Sequence, residues 1–265
     1  MLSYKHGFHS GNHADIIKHM TICLLLRCLN KKEKPYTVID THSGSGVYRL
    51  DGFMAQKNQE FKTGIEKIKD NAKLRELVPE FYKVYDDLNA ELKNTYPGSP
   101  LFEASLSRDV DILTFIDLHP SEFENLRNYF KRDRRCNIQH RDGLEALNAL
   151  LPPTPRRGLV VIDPAYEEKN EYVELVKAVK TGLHKWNTGV FAIWYPVLGK
   201  LRDHSKNLTN DIRRLNIPML QVELCIEEQE EVFGMCGSGM LILNYPYGID
   251  EMLSPVVDEL YKALS

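Results

Sequence analysis

Gly158-Leu159-Val160-Val161-Ile162-Asp163-Pro164-Ala165-Tyr166-Glu167 decides how this 265-residue chain is read. An unbroken apolar run leads straight into a carboxylate, a proline and an aromatic ring. Continuous rather than alternating hydrophobicity suits a strand covered on both faces, the habit of parallel sheets. Working outward, comparable runs occupy residues 36–40, 111–117, 136–140, 189–195, 219–226 and 240–244, with helical patterns between them. Such alternation predicts an α/β fold built on a doubly wound, mostly parallel sheet. Residues 15–29 read as a helix with Ile16, Ile17, Met20, Cys23, Leu24 and Leu26 largely on one side.

One stretch breaks the alternation. Residues 51–96 are polar and helical, with Ile65, Ile68, Leu77, Phe81, Val84, Tyr85, Leu88 and Leu92 at spacings near three and four. Pro79 marks a helix start, and Pro97-Gly98-Ser99-Pro100 closes the segment with turn chemistry. The organisation expected is an α/β domain from residues 1–50 and 97–265, interrupted by a small helical subdomain at 51–96.

Composition narrows the class without naming a partner. A hydrophobic share of 43% and a charged share of 27% fit an ordinary globular protein, not a disordered or membrane-spanning one. The N-terminal residues lack the apolar core of a signal peptide. Five cysteines form no C-x-x-C pair and are odd in number, which points away from a disulfide framework and towards a reducing cytoplasm. A monomer is the default expectation. Net charge is −3, unusual for a nucleic-acid binder, yet basic clusters stand at Lys31-Lys32 with Lys34, Lys131-Arg132 with Arg134-Arg135, and Arg156-Arg157. Taken singly, each reads more readily as a solvated face. Lys5, Lys18 and Arg134-Arg135 are the basic residues expected near a pocket mouth, where they would meet phosphates.

Four loops carry chemistry. Val38-Ile39-Asp40-Thr41-His42-Ser43-Gly44-Ser45-Gly46 takes a strand into a glycine loop, where backbone can turn tightly and approach a nucleotide-like ligand. It lacks the three-glycine dinucleotide fingerprint. Asp117 ends the next strand and can accept ribose hydroxyls, or simply cap a helix. Asp142-Gly143 follows the third strand and either approaches an adenine ring or makes a turn. Asp163-Pro164-Ala165-Tyr166 follows the fourth. An exocyclic adenine amine is a poor nucleophile because its lone pair is delocalised into the ring. Hydrogen bonds to Asp163 and to the Pro164 carbonyl favour a tetrahedral nitrogen, while proline fixes the backbone. Tyr166 can stack on a base that has left its duplex.

These motifs, in this order, resemble N6-adenine methyltransferases with a (D/N/S)-P-P-(Y/F/W) loop. More specifically, the whole chain resembles the bacterial 23S rRNA N6-adenine methyltransferase family, some of whose members are described as proteins for using external DNA as a nutrient. The likeness runs through Met1-Leu2-Ser3-Tyr4, Gly11-Asn12-His13-Ala14-Asp15, Lys18-His19, Asp40-Thr41-His42-Ser43-Gly44 and Tyr96-Pro97-Gly98-Ser99-Pro100. It continues through Leu118-His119-Pro120-Ser121, Ile162-Asp163-Pro164, Trp194-Tyr195-Pro196-Val197 and Ser238-Gly239-Met240. The resemblance implies a Rossmann-like methyltransferase domain using S-adenosylmethionine and acting on 23S rRNA.

It further implies that His19, His42, Ser99, Asp117, Asp142, Gly143 and Asp163 contact the cofactor. Asp163, Pro164 and Tyr166 would carry catalysis, and Tyr4, Lys18 and Tyr166 would meet the substrate base. Two departures stand out: the loop reads D-P-A-Y rather than D-P-P-Y, and Asp117 replaces a familiar glutamate. Ala165 keeps the Pro164 carbonyl, so activity is expected to survive. His9 and His13 share one face at helical spacing, but no H-E-x-x-H motif accompanies them and no metal is expected. A rival reading is a DNA-handling protein: a DNA adenine methyltransferase, a nuclease, or a binding module for DNA uptake.

Overall fold

The computed structural model describes residues 5–231 and 234–265. Its elements in chain order begin with α1 (His13–Asn30), β1 (Thr37–Asp40) and β2 (Val47–Arg49). Four helices follow: α2 (Phe53–Asn58), α3 (Ile65–Ile68), α4 (Ala72–Leu77) and α5 (Pro79–Glu91). Next come β3 (Thr95–Pro97), α6 (Ser99–Leu106), β4 (Ile112–Asp117), α7 (Pro120–Phe130), β5 (Cys136–His140) and α8 (Gly143–Leu150). The chain ends with β6 (Gly158–Ile162), α9 (Lys169–Lys185), β7 (Val190–Leu198), α10 (Ser205–Arg213), β8 (Met219–Cys225), β9 (Met235–Leu243) and α11 (Ile249–Leu264).

Seven strands form one sheet in the order β5-β4-β1-β6-β7-β9-β8. The first five pair in parallel, and β9 runs antiparallel between β7 and β8. The doubly wound α/β expectation is borne out. The period-two alternation hidden inside the apolar runs explains why. Val38, Leu159 and Val161 belong to the cluster packed under α1, α6 and α11, whereas Ile39, Val160 and Ile162 belong to the one under α8, α9 and α10. Both faces are therefore apolar, and ligands are left the carboxyl edge. Because β4 and β6 leave β1 on opposite sides, that edge opens into a crevice beyond β1, the usual ligand position in such sheets.

Three departures from expectation have local causes. β9 starts five residues earlier than its apolar run because Cys236-Gly237-Ser238-Gly239 is a buried strand despite its small residues. A Cβ on Gly239 would lie 2.4 Å from the Tyr195 ring, so glycine makes room for that tyrosine. The ribbon of β2 with β3 escapes sequence detection since each strand has three residues. Helix α1 is buried nearly all round, Ile22 and Leu25 included, because α5, α6 and α11 cover the side turned away from the sheet. Its amphipathic stripe is correspondingly blurred.

Helices α2–α5 fill the stretch between the two ribbon strands, and Pro79 occupies the first turn of α5 as its fixed φ favours. Ile65, Leu74 and Phe81 from this stretch share one apolar cluster with Leu24 of α1 and Leu253 of α11. Among the described residues no helix is long and apolar enough to cross a membrane.

Strand contact around β1 is tight enough to test. A Cβ on Gly158 would sit 1.8 Å from the Thr37 carbonyl oxygen, a backbone atom that cannot swing aside. Gly158→Ala is expected to cost about 3 kcal/mol or more of folding stability, read as a lowered urea midpoint.

Candidate functional site

The crevice is built by loops that the sheet holds apart. After β1, Thr41 N–H donates to the Val161 carbonyl of β6 (3.0 Å) and Ser43 N–H to the Ile116 carbonyl of β4 (2.9 Å). Gly44 and Gly46 then take φ values of +61° and +79°, which lets the loop double back. Gly143 enforces a second close approach, since a Cβ there would lie 2.0 Å from the Thr41 carbonyl oxygen. Asp142 caps α8, accepting from Glu145 N–H at 2.9 Å, so the turn reading and a pocket position hold together.

A cavity of about 410 Å³ occupies this crevice. His19, His42, Ser99, Asp117, Asp142, Gly143 and Asp163 all line it; sequence positions as distant as 19 and 163 are brought onto one wall. Eight Asp or Glu side chains line the cavity against one lysine. That charge repels a pyrophosphate and suits a ligand carrying ammonium or sulfonium charge. Asp117 accepts Gly44 N–H (2.8 Å) and His119 N–H (2.7 Å), one on each oxygen. Burial pushes its carboxyl above the usual range despite these bonds. His42 is pushed down by burial and stays neutral. The Thr41 hydroxyl donates to the Val161 carbonyl, so it accepts from His42 Nδ1 at 2.7 Å, leaving Nε2 as the acceptor. Burial likewise keeps His19 neutral, with Nδ1 2.9 Å from the Tyr96 hydroxyl.

A second cavity of about 480 Å³ meets the first, and both are lined by His6, Lys18, Asp163, Pro164 and Ala165. The rest of its wall includes α1, the β6 loop with Tyr166, and Trp194 and Pro196 of β7, with Glu60 and Glu227 from outside these elements. Lys18 sits at the junction with Nζ 2.5 Å from Asp163 Oδ2 and 3.0 Å from Asp15 Oδ1. Asp15, fully buried, also accepts from Gly11 N–H and from His6 Nε2, each at 2.9 Å. Burial alone would raise its carboxyl, but His6 and Lys18 hold it well below the usual carboxylate range. Tyr166 is 8% exposed, takes φ +53°, and donates its hydroxyl to the Trp194 carbonyl at 2.6 Å. Tyr4 lies outside the described residues.

Three acidic groups to which the sequence assigns no role of their own stand behind the walls. Asp40 accepts His42 N–H (3.1 Å) and, when ionised, the Ser99 hydroxyl (2.7 Å), and in that form Ser99 turns its lone pairs towards the cavity. Glu103, one turn beyond Ser99 on α6, is buried with neither carboxyl oxygen hydrogen-bonded, and burial raises it far above its normal value. Asp15 is the third, and its spacing to Lys18 and His19 on α1 was a usable signal. Arg134 and Arg135 correct another expectation: they precede β5, at the opposite edge of the sheet from the pocket. Of the N-terminal histidines, His6 pairs with Asp15 and His9 with Glu60 (2.8 Å), whereas His13 Nε2 is buried without a hydrogen-bond partner; His9 precedes α1, so it shares no helix face with His13. No group of His, Cys, Asp or Glu among the described residues is placed to hold a metal ion.

The family model described as ribosomal RNA large subunit methyltransferase D, RlmJ, matches residues 33–265. The chain belongs to that family. A Haemophilus influenzae relative named ribosomal RNA large subunit methyltransferase J is 39% identical over 267 residues, spanning all of this chain and 94% of its own length. The Escherichia coli protein of the same name is 37% identical with the same shares. A Legionella pneumophila protein of known crystal structure is 35% identical and superposes with a TM-score of 0.89, covering 97% of this chain and 94% of its own.

Asp40 sets a pH dependence. Burial raises its carboxyl to about 7, with Asp163 adding to the shift and Ser99, the His42 amide and Lys18 opposing it. The folded state thus holds a proton that the unfolded chain releases near pH 4, and folding stability falls as pH rises from about 4 to 7. Asp40→Asn is expected to remove this slope and to be more stable than the parent at pH 8. Urea unfolding at pH 5 and pH 8 measures both.

Proposed function

We propose that this protein transfers the methyl group of S-adenosylmethionine to the N6 amino group of an adenine in 23S rRNA. The observation that carries the reading is the meeting of two cavities at Asp163-Pro164-Ala165, one acidic and sized for a nucleoside cofactor, the other open to a base. The donor set fits the cofactor. Carboxylates at the ends of β4 and β5 can accept ribose hydroxyls and amines, and Ser99 presents an acceptor to an ammonium. The family and the relatives' names support ribosomal RNA as the substrate class.

When bound, the cofactor supplies an activated methyl on a cationic sulfur, so little acid–base assistance is needed. The chain's task is positioning. Lys18 clamps Asp163 from the α1 side, aiming its free lone pairs at the junction where an adenine amine would enter. The amine's hydrogens go to Asp163 and the Pro164 carbonyl, which draws the nitrogen towards a tetrahedral shape with its lone pair available. As nitrogen gains carbon it sheds one proton, and Asp163 is the acceptor in reach. Tyr166 and Trp194 supply the aromatic wall against which an unstacked base rests. His19, His42, Ser99, Asp117, Asp142 and Gly143 hold the cofactor.

Methyl transfer from labelled S-adenosylmethionine to unmodified 23S rRNA is expected to yield N6-methyladenine. Asp163→Ala leaves Lys18 paired with Asp15, so it should still fold, though less stably, and lose at least ~10³-fold in rate, the scale of a group that orients and stabilises the reacting centre. Retention of most of the rate would sink the role given to Asp163. Label entering unmethylated DNA instead of RNA would reassign the acceptor.

A further inference from the structure

The basic residues that the pocket leaves unused converge on one surface. Four segments, 31–35, 108–111, 131–135 and 156–157, contain ten Lys or Arg against four Asp or Glu, in a chain whose net charge is −3. They immediately precede β1, β4, β5 and β6, which are consecutive neighbours in the parallel part of the sheet. Their amino ends therefore lie side by side over about 15 Å, at the sheet edge opposite the pocket.

Hydrogen bonds weld these segments together. Arg108 donates to the carbonyls of Lys32 and Lys34 (3.0 Å each), Arg157 to that of Lys34 (2.7 Å), and Arg135 to that of Ser107 (2.6 Å). Two of the four acids are consumed internally, Asp111 by Arg108 and Asp133 by Arg135. Burial, followed by the nearby Arg108 charge, lowers Arg157, a sign that cations here crowd one another. Outside this frame, Lys32, Lys34, Lys131, Arg132, Arg134 and Arg156 are exposed, and among the described residues no carboxylate pairs with them.

We infer that this amino-edge surface is a second RNA-binding site, taking the phosphate backbone of a duplex arm that flanks the target base. The inference rests on the RNA methyltransferase reading and deepens it. None of the four segments contains an aromatic residue, so the surface offers charge without a stacking platform, which suits backbone phosphates rather than unstacked bases. The six-residue span of β4 separates it from the pocket by about 20 Å, so it engages only RNA long enough to pass the edge strand β5. It also resolves the conflict between an acidic pocket and a polyanionic substrate. The pocket takes a base and a cationic cofactor, while affinity for the backbone is lodged elsewhere.

The test is the combined variant Lys32→Gln, Lys34→Gln, Arg134→Gln and Arg156→Gln, compared with the parent on a long 23S rRNA transcript and on a short stem–loop carrying the target base. On the transcript, KM at about 150 mM salt is expected to rise at least ~10-fold with kcat and cofactor affinity unchanged. The slope of log affinity against log salt should fall by about 3.6, as four lost phosphate contacts on a duplex dictate. On the stem–loop, parent and variant should be alike. An unchanged KM and salt slope on the transcript overturns the inference, as does an equal loss on the stem–loop. Loss of binding to anionic lipid vesicles with RNA binding intact overturns it in favour of a membrane surface. A parent that methylates no RNA at all strikes the functional reading instead, and transcript binding by filter retention still reads the surface separately.

Discussion

The ion pair between Lys18 and Asp163 joins the two halves of the site, and most of the surrounding architecture serves to hold it. Lys18 comes from a helix buried nearly all round, and Asp163 from the loop after a strand buried on both faces. A buried ion pair is costly to desolvate and repays that cost only when other polar groups complete it. Asp15 does so, bound in turn by Gly11 and His6. The cluster thereby fixes the N-terminal turn, helix α1 and the β6 loop against one another, and the two cavities meet where it lies.

This arrangement also separates the tasks of the acids around the crevice. Asp163 stands at the junction, in contact with a cation and 16% exposed. Asp40 and Glu103 stand behind Ser99, where burial favours their protonated forms. Like charges so close together would repel each other, so the inner pair is kept from adding charge while the outer one keeps its lysine. Polar groups left incompletely paired in a core cost stability, and such groups persist where they serve a site.

The strands, their parallel sense and the loops at their carboxyl ends were legible because apolar runs and turn residues act locally. Seven pocket residues could be named beforehand, but through family resemblance more than through spacing. The roles of Asp40 and Glu103 were not legible because they arise from α6 lying behind β1, a tertiary fact with no short-range signature. The β2–β3 ribbon escaped for the opposite reason: its strands are too short to show a period. Arg134 and Arg135 were placed at the wrong edge because a charge cluster reveals nothing about which end of a strand it borders until the sheet's direction is known.

The alanine at position 165 shows how a loop can lose one constraint and keep its shape. A second proline would fix φ at that residue; here the next residue is held instead. Tyr166 adopts a left-handed backbone conformation that costs a non-glycine residue about 1 kcal/mol, so it persists only where contacts compensate. Those contacts are present: its hydroxyl is tied to the Trp194 carbonyl on β7, and its ring packs on Tyr172 of α9 at 4.4 Å between centroids. With Pro164 fixed on one side and Tyr166 anchored on the other, Ala165 has little freedom left. The Pro164 carbonyl is therefore positioned by the aromatic anchor as much as by proline itself, which places the rigidity of the loop in β7 and α9 rather than in its own sequence.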